Sequence, residues 1–129
     1  MKEIPNIQEW LQEAKQSENA SKCGMYLVHN GVVRESAKDK VRNGNENALD
    51  VKGMEFSYNA SKVEQAIKNT YQMDGIYYIK VWLNEGLLNV GDDIMYVLVG
   101  GDIRPHIIEA LQSLVGTIKK ECVIEKEIY

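Results

Sequence analysis

Long apolar runs are missing from this 129-residue chain. The longest, such as Ile94 to Gly101, fall far short of the ~20 residues that a membrane helix requires, so no membrane helix is expected. The opening Met-Lys-Glu-Ile-Pro-Asn leads into a polar segment rather than the apolar core of a signal peptide, and a cytoplasmic protein is the expectation. Cysteine and histidine are scarce. Cys23 and Cys122 lie far apart with no C-x-x-C spacing, and His29 and His106 are the only histidines. No zinc or iron–sulfur ligand set can be assembled from these, and neither a metal nor a cofactor is expected; two free thiols, buried or half-buried, fit better. An excess of positive charge is also absent. Fifteen Lys and Arg against 19 Asp and Glu leave a net charge of −4, which argues against a nucleic-acid binder that relies on a broad basic field.

What remains is the make-up of an ordinary globular protein, 44% hydrophobic and 26% charged, with the length of a single domain spanning 1–129. Ile7, Trp10, Leu11 and Ala14 recur at helical spacing between Asn6 and Ser17. Cys23 to Val33 reads as a strand. Residues 35–50 crowd polar side chains together and are expected to form a long surface loop. Met54, Phe56 and Tyr58 alternate with polar residues, as in a half-buried strand. Ser61 and Glu64 have capping-box spacing ahead of a helix striped by Val63, Ala66, Ile67, Thr70 and Tyr71. Strands follow at Ile76–Leu83 and Ile94–Val99, with Asn89-Val90-Gly91-Asp92 as turn chemistry between them. Asp102 stands where an N-cap is wanted, before a helix striped by Ile103, Ile107, Ala110, Leu111, Leu114, Val115 and Ile118. A last strand runs from Cys122 to Tyr129. The order α-β-β-α-β-β-α-β predicts an α+β domain with helices packed on a largely antiparallel sheet. From Met54 onward the order is also that of a ferredoxin-like ligand-binding or regulatory domain.

The chemistry is concentrated near the end of the chain. In the last strand Cys122, Ile124, Lys126 and Ile128 share one face, and Val123, Glu125, Glu127 and Tyr129 the other. Lys126 is thus expected among apolar neighbours, as a snorkelling edge-strand lysine or a functional one. On the last helix Arg104 and Lys119 fall on one flank, whereas Lys120 points away. Fifteen residues of helix separate the two by about 22 Å, too far for one small ligand to touch both within one chain. A site using both would need Arg104 from a second copy. The chain has three arginines, Arg34, Arg42 and Arg104, the residue suited to gripping phosphate or carboxylate bidentately. Arg104 also opens a helix, where free N–H groups favour anions. The Asp92-Asp93 pair reads as a solvent-facing turn, the two histidines as structural, and Tyr58, Tyr77 and Tyr78 as core or interface residues, and no Ser-His-Asp or Cys-His constellation can be formed.

The ordered set Asn30-Gly-Val-Val-Arg34, Val90-Gly-Asp-Asp-Ile94, Arg104 opening a long helix, Ile118-Lys119 and Lys126-Glu127 resembles the large, catalytic subunit of molybdopterin synthase, the MoaE family. The resemblance covers the chain from about Cys23 to its end. It implies the family's α/β hammerhead fold and a sulfur transfer. The sulfur is carried as a thiocarboxylate on the C-terminal Gly-Gly tail of a small ubiquitin-like subunit, and it converts cyclic pyranopterin monophosphate to the dithiolene of molybdopterin. It further implies a homodimer with active sites shared between copies, Lys119 and Lys126 as catalytic residues, Arg34 and Arg104 as substrate-binding residues, and no site metal. Departures accompany the match. Ile103 stands where the family usually has histidine, Val123 and Glu125 where it usually has proline and tryptophan, and Leu83-Asn84-Glu85-Gly86-Leu87 where His-Arg-x-Gly-Glu is usual. The alternative is a non-catalytic relative that binds a partner tail or a pterin-like anion without turnover.

Overall fold

The computed structural model describes residues 1–129. Ten elements follow one another: α1 (Ile7–Lys15), β1 (Met25–Val32), α2 (Lys38–Asn43), β2 (Gly53–Tyr58), α3 (Ala60–Tyr71), β3 (Ile76–Leu83), β4 (Gly86–Asn89), β5 (Asp93–Gly101), α4 (Arg104–Thr117) and β6 (Val123–Ile128). A single π-helical turn, Ile118–Cys122, joins α4 to β6. Two antiparallel three-stranded sheets result, ordered β1-β5-β3 and β4-β2-β6. The expected α+β class is thereby observed, with the strands divided between two sheets.

β5 explains why the first sheet is covered on both faces. Met95, Val97 and Val99 project into the main core with Ile107, Ala110, Leu114 and Ile118 of the α4 region. Leu98 projects the other way, onto Trp10 and Ala14 of α1. Alternation at period 2 therefore gives β5 two apolar faces, and the strand reads as a continuous hydrophobic run. The second sheet adds Met54, Phe56 and Leu88 to the same main core.

Four local expectations are corrected. A short helix, α2, lies inside the polar segment expected to be all loop; it carries no buried residue and ends at Gly44 with φ 69°, so apolar periodicity gives no sign of it. β4 is four residues long, too short for periodicity to register. Asn59, not Ser61, caps α3, its side chain accepting the Lys62 N–H at 3.1 Å. Ile103, not Asp102, occupies the N-cap position of α4, and Ile103 is exposed rather than on the buried stripe. The Asp102 carboxylate accepts the Ile103 N–H and meets the His106 ring at 2.7 Å, which holds its pKa below the usual carboxylate range.

Candidate functional site

A narrow cleft opens where β1, the 35–52 segment, β2 and the π turn converge. Val32, Met54 and Ile94 form its apolar wall; Arg34, Lys38, Lys119, Glu125 and Glu127 supply its charges. Each side chain arrives for a local reason. Val33 is buried, and its N–H donates to Asp92 O. That contact pins the end of β1 beside the 90–94 turn and leaves the next residue, Arg34, exposed at the rim. Ile118, fully buried in the core, anchors the π turn and sets Lys119, the residue after it, half-buried on the cleft wall. Such wide turns recur at functional sites because they re-aim side chains by part of a turn.

The two acidic residues are not expected there from spacing. In the β2–β6 register Phe56 lies opposite Glu125 and Met54 opposite Glu127. Because Phe56 and Met54 face the core, Glu125 and Glu127 face inward too. Lys126 lies opposite Glu55 on the outer face and is exposed. The expectation that Lys126 sits among apolar, desolvating neighbours is therefore corrected. Ile124 and Ile128, its neighbours on that face, are exposed as well. Alternation separates the two faces of β6 correctly but reverses their directions, since only pairing with β2 decides which face is inside.

Glu125 has the most unusual surroundings. Its side chain is 4% exposed, and it forms an ion pair with Lys38 Nζ. Neither carboxylate oxygen has a hydrogen-bond partner, so that ion pair is its one compensation for burial. Glu127 accepts the Lys38 backbone N–H at 3.1 Å, which ties the start of α2 to β6. Inward charges on an edge strand also discourage edge-to-edge pairing.

His29, on β1, belongs to the same neighbourhood although its spacing gives no signal. Its Nε2 is buried without a partner. Burial pushes the imidazole below its ordinary 6.5, and the Lys119 ammonium pushes it further. The folded protein thus favours the neutral ring, whereas the unfolded chain takes up a proton first as pH falls. The stabilisation is present above about pH 6.5 and is lost as pH falls through the lowered folded value. His29→Gln should therefore flatten the decline in stability between about pH 7 and pH 5. Denaturant titrations across that range measure it; an unchanged slope would count against the buried neutral ring.

Arg104 does not reach the cleft. It is exposed at the first turn of α4, while Lys119 lies beyond that helix's other end. The structure thus brings Arg34 and Lys119 together within one chain and leaves Arg104 and Lys126 apart from them. No group of three or more His, Cys, Asp or Glu side chains is placed to hold a metal ion. No helix is long and apolar enough to cross a membrane.

Comparison with known proteins gives this geometry a context. The family described as MoaE protein matches residues 4–121. The chain belongs to the MoaE family. The match takes in α1, so it begins earlier than the Cys23 boundary expected from the motifs, and it stops before β6, so Lys126 lies outside the matched span. Among solved structures, molybdopterin synthase from Staphylococcus aureus is 19% identical with a TM-score of 0.72, covering 97% of this chain and 86% of that one. A molybdopterin biosynthesis MoaE protein from Burkholderia ambifaria is 14% identical with a TM-score of 0.72, covering 98% and 84%. A complex of subunits 1 and 2 of molybdopterin-converting factor from Helicobacter pylori is 16% identical with a TM-score of 0.64, covering 97% and 84%. At these identities the likenesses establish the MoaE fold. None of the curated proteins matches the sequence.

Proposed function

We infer that this MoaE protein is the large subunit of a molybdopterin synthase. In that reading it moves sulfur from the C-terminal thiocarboxylate of a small ubiquitin-like subunit to cyclic pyranopterin monophosphate. The observation that carries the reading is the meeting of Arg34 and Lys119 in one cleft, on a chain matched to the family across both residues. Arg34 holds an anionic group of the substrate or tail bidentately. Lys119 stabilises the negative charge that develops at the tail's terminal carbonyl and moves the accompanying proton. The small-subunit partner has a parallel in the two-subunit Helicobacter pylori complex.

Arg104 and Lys126 enter only through a second copy. For Lys126 the outer face of β4-β2-β6 supports that arrangement, because Leu87 and Ile124 are each 70% exposed and Ile128 is 41% exposed on the face that carries it. An apolar surface of this kind on a globular protein marks an interaction site. Ile124→Glu should weaken self-association by at least about a hundredfold, since it places a charge among apolar contacts; sedimentation across a concentration series reads the change. An unaltered oligomeric state would remove this face from the proposed dimer.

The decisive assay supplies thiocarboxylated small subunit and cyclic pyranopterin monophosphate and follows the dithiolene product. Product formation that depends on Lys119 is the expected result. Stable association with the small subunit without product would instead favour the non-catalytic, tail-binding relative.

A further inference from the structure

The segment from Glu35 to Lys52 forms a strap beside the cleft and contributes Lys38 to its wall. Its two ends are fixed: Val51 N donates to Glu35 O at 2.7 Å, Lys52 N donates to Ile128 O at 2.7 Å, and Ala37 and Val51 are buried. Residues 41–47 between them are exposed. A pair of contacts joins the start of the strap to β6, the Lys38–Glu125 ion pair and the Glu127 carboxylate on the Lys38 N–H.

The cleft walls carry three cations, Arg34, Lys38 and Lys119, and two carboxylates, Glu125 and Glu127. A carboxylate buried to 4% exposure, with an ion pair as its sole partner, is costly unless that pair is kept or replaced. Its negative end group occupies one cation of a pocket that also holds two others, Arg34 and Lys119, and a second carboxylate, Glu127, whose oxygen accepts the Lys38 backbone N–H.

We propose that Glu125 is an internal stand-in for the terminal carboxylate or thiocarboxylate of an incoming chain, and that this terminus displaces Glu125 from Lys38 when it enters. The inference rests on the synthase reading for the nature of the chain, and it makes Lys38 a further anion-binding residue and Glu125 the residue that sets the threshold for entry. The exchange replaces one carboxylate by another on the same ammonium, so Lys38 stays paired; the released Glu125, which has no other partner, has to turn to solvent or take up a proton, and that cost is the threshold for entry. Glu127 holds the start of α2 throughout, so the motion is confined to the Glu125 and Lys38 side chains and the exposed part of the strap.

The test uses the intact protein and a synthetic peptide ending in Gly-Gly, as the free acid and as the C-terminal amide, with inorganic phosphate as a third ligand. Binding is measured by calorimetry for the parent, Glu125→Gln, Lys38→Met and the double variant, and thermal melts confirm that each is folded. Removing the competing charge should tighten binding of the free acid by about tenfold, the size of one modest charge-assisted contact. The amide should gain less than about twofold, since it offers no anionic end group to Lys38. Lys38→Met should weaken the free acid, and Glu125→Gln added to it should restore nothing, because the coupling runs through that one ammonium.

Two results would overturn the exchange: Glu125→Gln leaving the free acid unchanged, or the double variant gaining as much as Glu125→Gln alone. An equal gain for inorganic phosphate would assign the cleft to any small anion and overturn the chain-end specificity. The synthase reading fails separately. If the free acid binds the parent through Arg34 and Lys119 while Glu125→Gln has no effect, the stand-in role falls and the tail-binding cleft survives. If free acid and amide bind equally, or neither binds any variant, both fall.

Discussion

Lys119→Ala should lower dithiolene formation by at least about a hundredfold, the lower end of what a positioned acid–base group contributes, while the melting temperature stays close to that of the parent. The separation of the two effects follows from the surroundings of the side chain. Lys119 is half-buried on the cleft wall and is not a member of any of the three salt bridges. Removing it therefore orphans no buried partner, and changes of that kind fall within about 0.5 kcal/mol. It also relieves the repulsion that lowers the His29 pKa. Lys119→Arg gives a sharper comparison. The charge survives, so anion binding should be largely kept, but a guanidinium does not release a proton at neutral pH, and turnover should still fall. Retained activity in both variants would remove Lys119 from the chemistry. Lys126→Ala is the informative companion. Its side chain is exposed on the outer sheet face, so an equally large loss would require a site completed by a second copy.

Ile118→Ala should cost about 3 kcal/mol, within the range for truncating a fully buried aliphatic side chain. For a chain of this length that corresponds to a fall in melting temperature on the order of 10 °C. Ile118 is 0% exposed and belongs to the main core together with Leu114, Ile107 and Cys122. It also opens the π turn that carries Lys119, so the lost anchor should reduce turnover even at temperatures where the variant remains folded. Val115→Ala is the control. Val115 is only partly buried against the same core and lies within α4, so it should cost about 1 kcal/mol and spare turnover. Melting curves and product formation measured well below both transitions separate the two effects. Equal turnover in the two variants would show that the π turn does not depend on Ile118 for its aim.

The long, periodic elements are legible in the residue pattern itself. β3 spans Ile76–Leu83 as expected, and α4 buries Ile107, Ala110 and Leu114, with Ile118 following in the π turn, as the stripe predicts, because apolar spacing at period 2 or 3.6 reports directly on burial. Arg34 and Lys119, singled out by residue type and motif position, do meet in one cleft. α2 and β4 are not legible in this way. One has no buried residue and the other is four residues long, so neither has a hydrophobic rhythm long enough to register.

The α+β class, the core face of α4, the separation of Arg104 from Lys119 and the shortage of metal ligands all follow from residue order alone. Which face of β6 lies inside does not. Alternation divides Glu125 and Glu127 from Lys126, but it is symmetric between the two sides of a strand, and the apolar company of Lys126 points to the wrong one. Pairing with β2 breaks that symmetry: Met54 and Phe56 must bury their side chains, and the residues opposite them, Glu127 and Glu125, are carried inward with them. The same step places a buried carboxylate against Lys38 from 87 positions earlier in the chain, 125 − 38. No local pattern encodes a contact at that separation, since it exists only once two strands and a strap have been folded together.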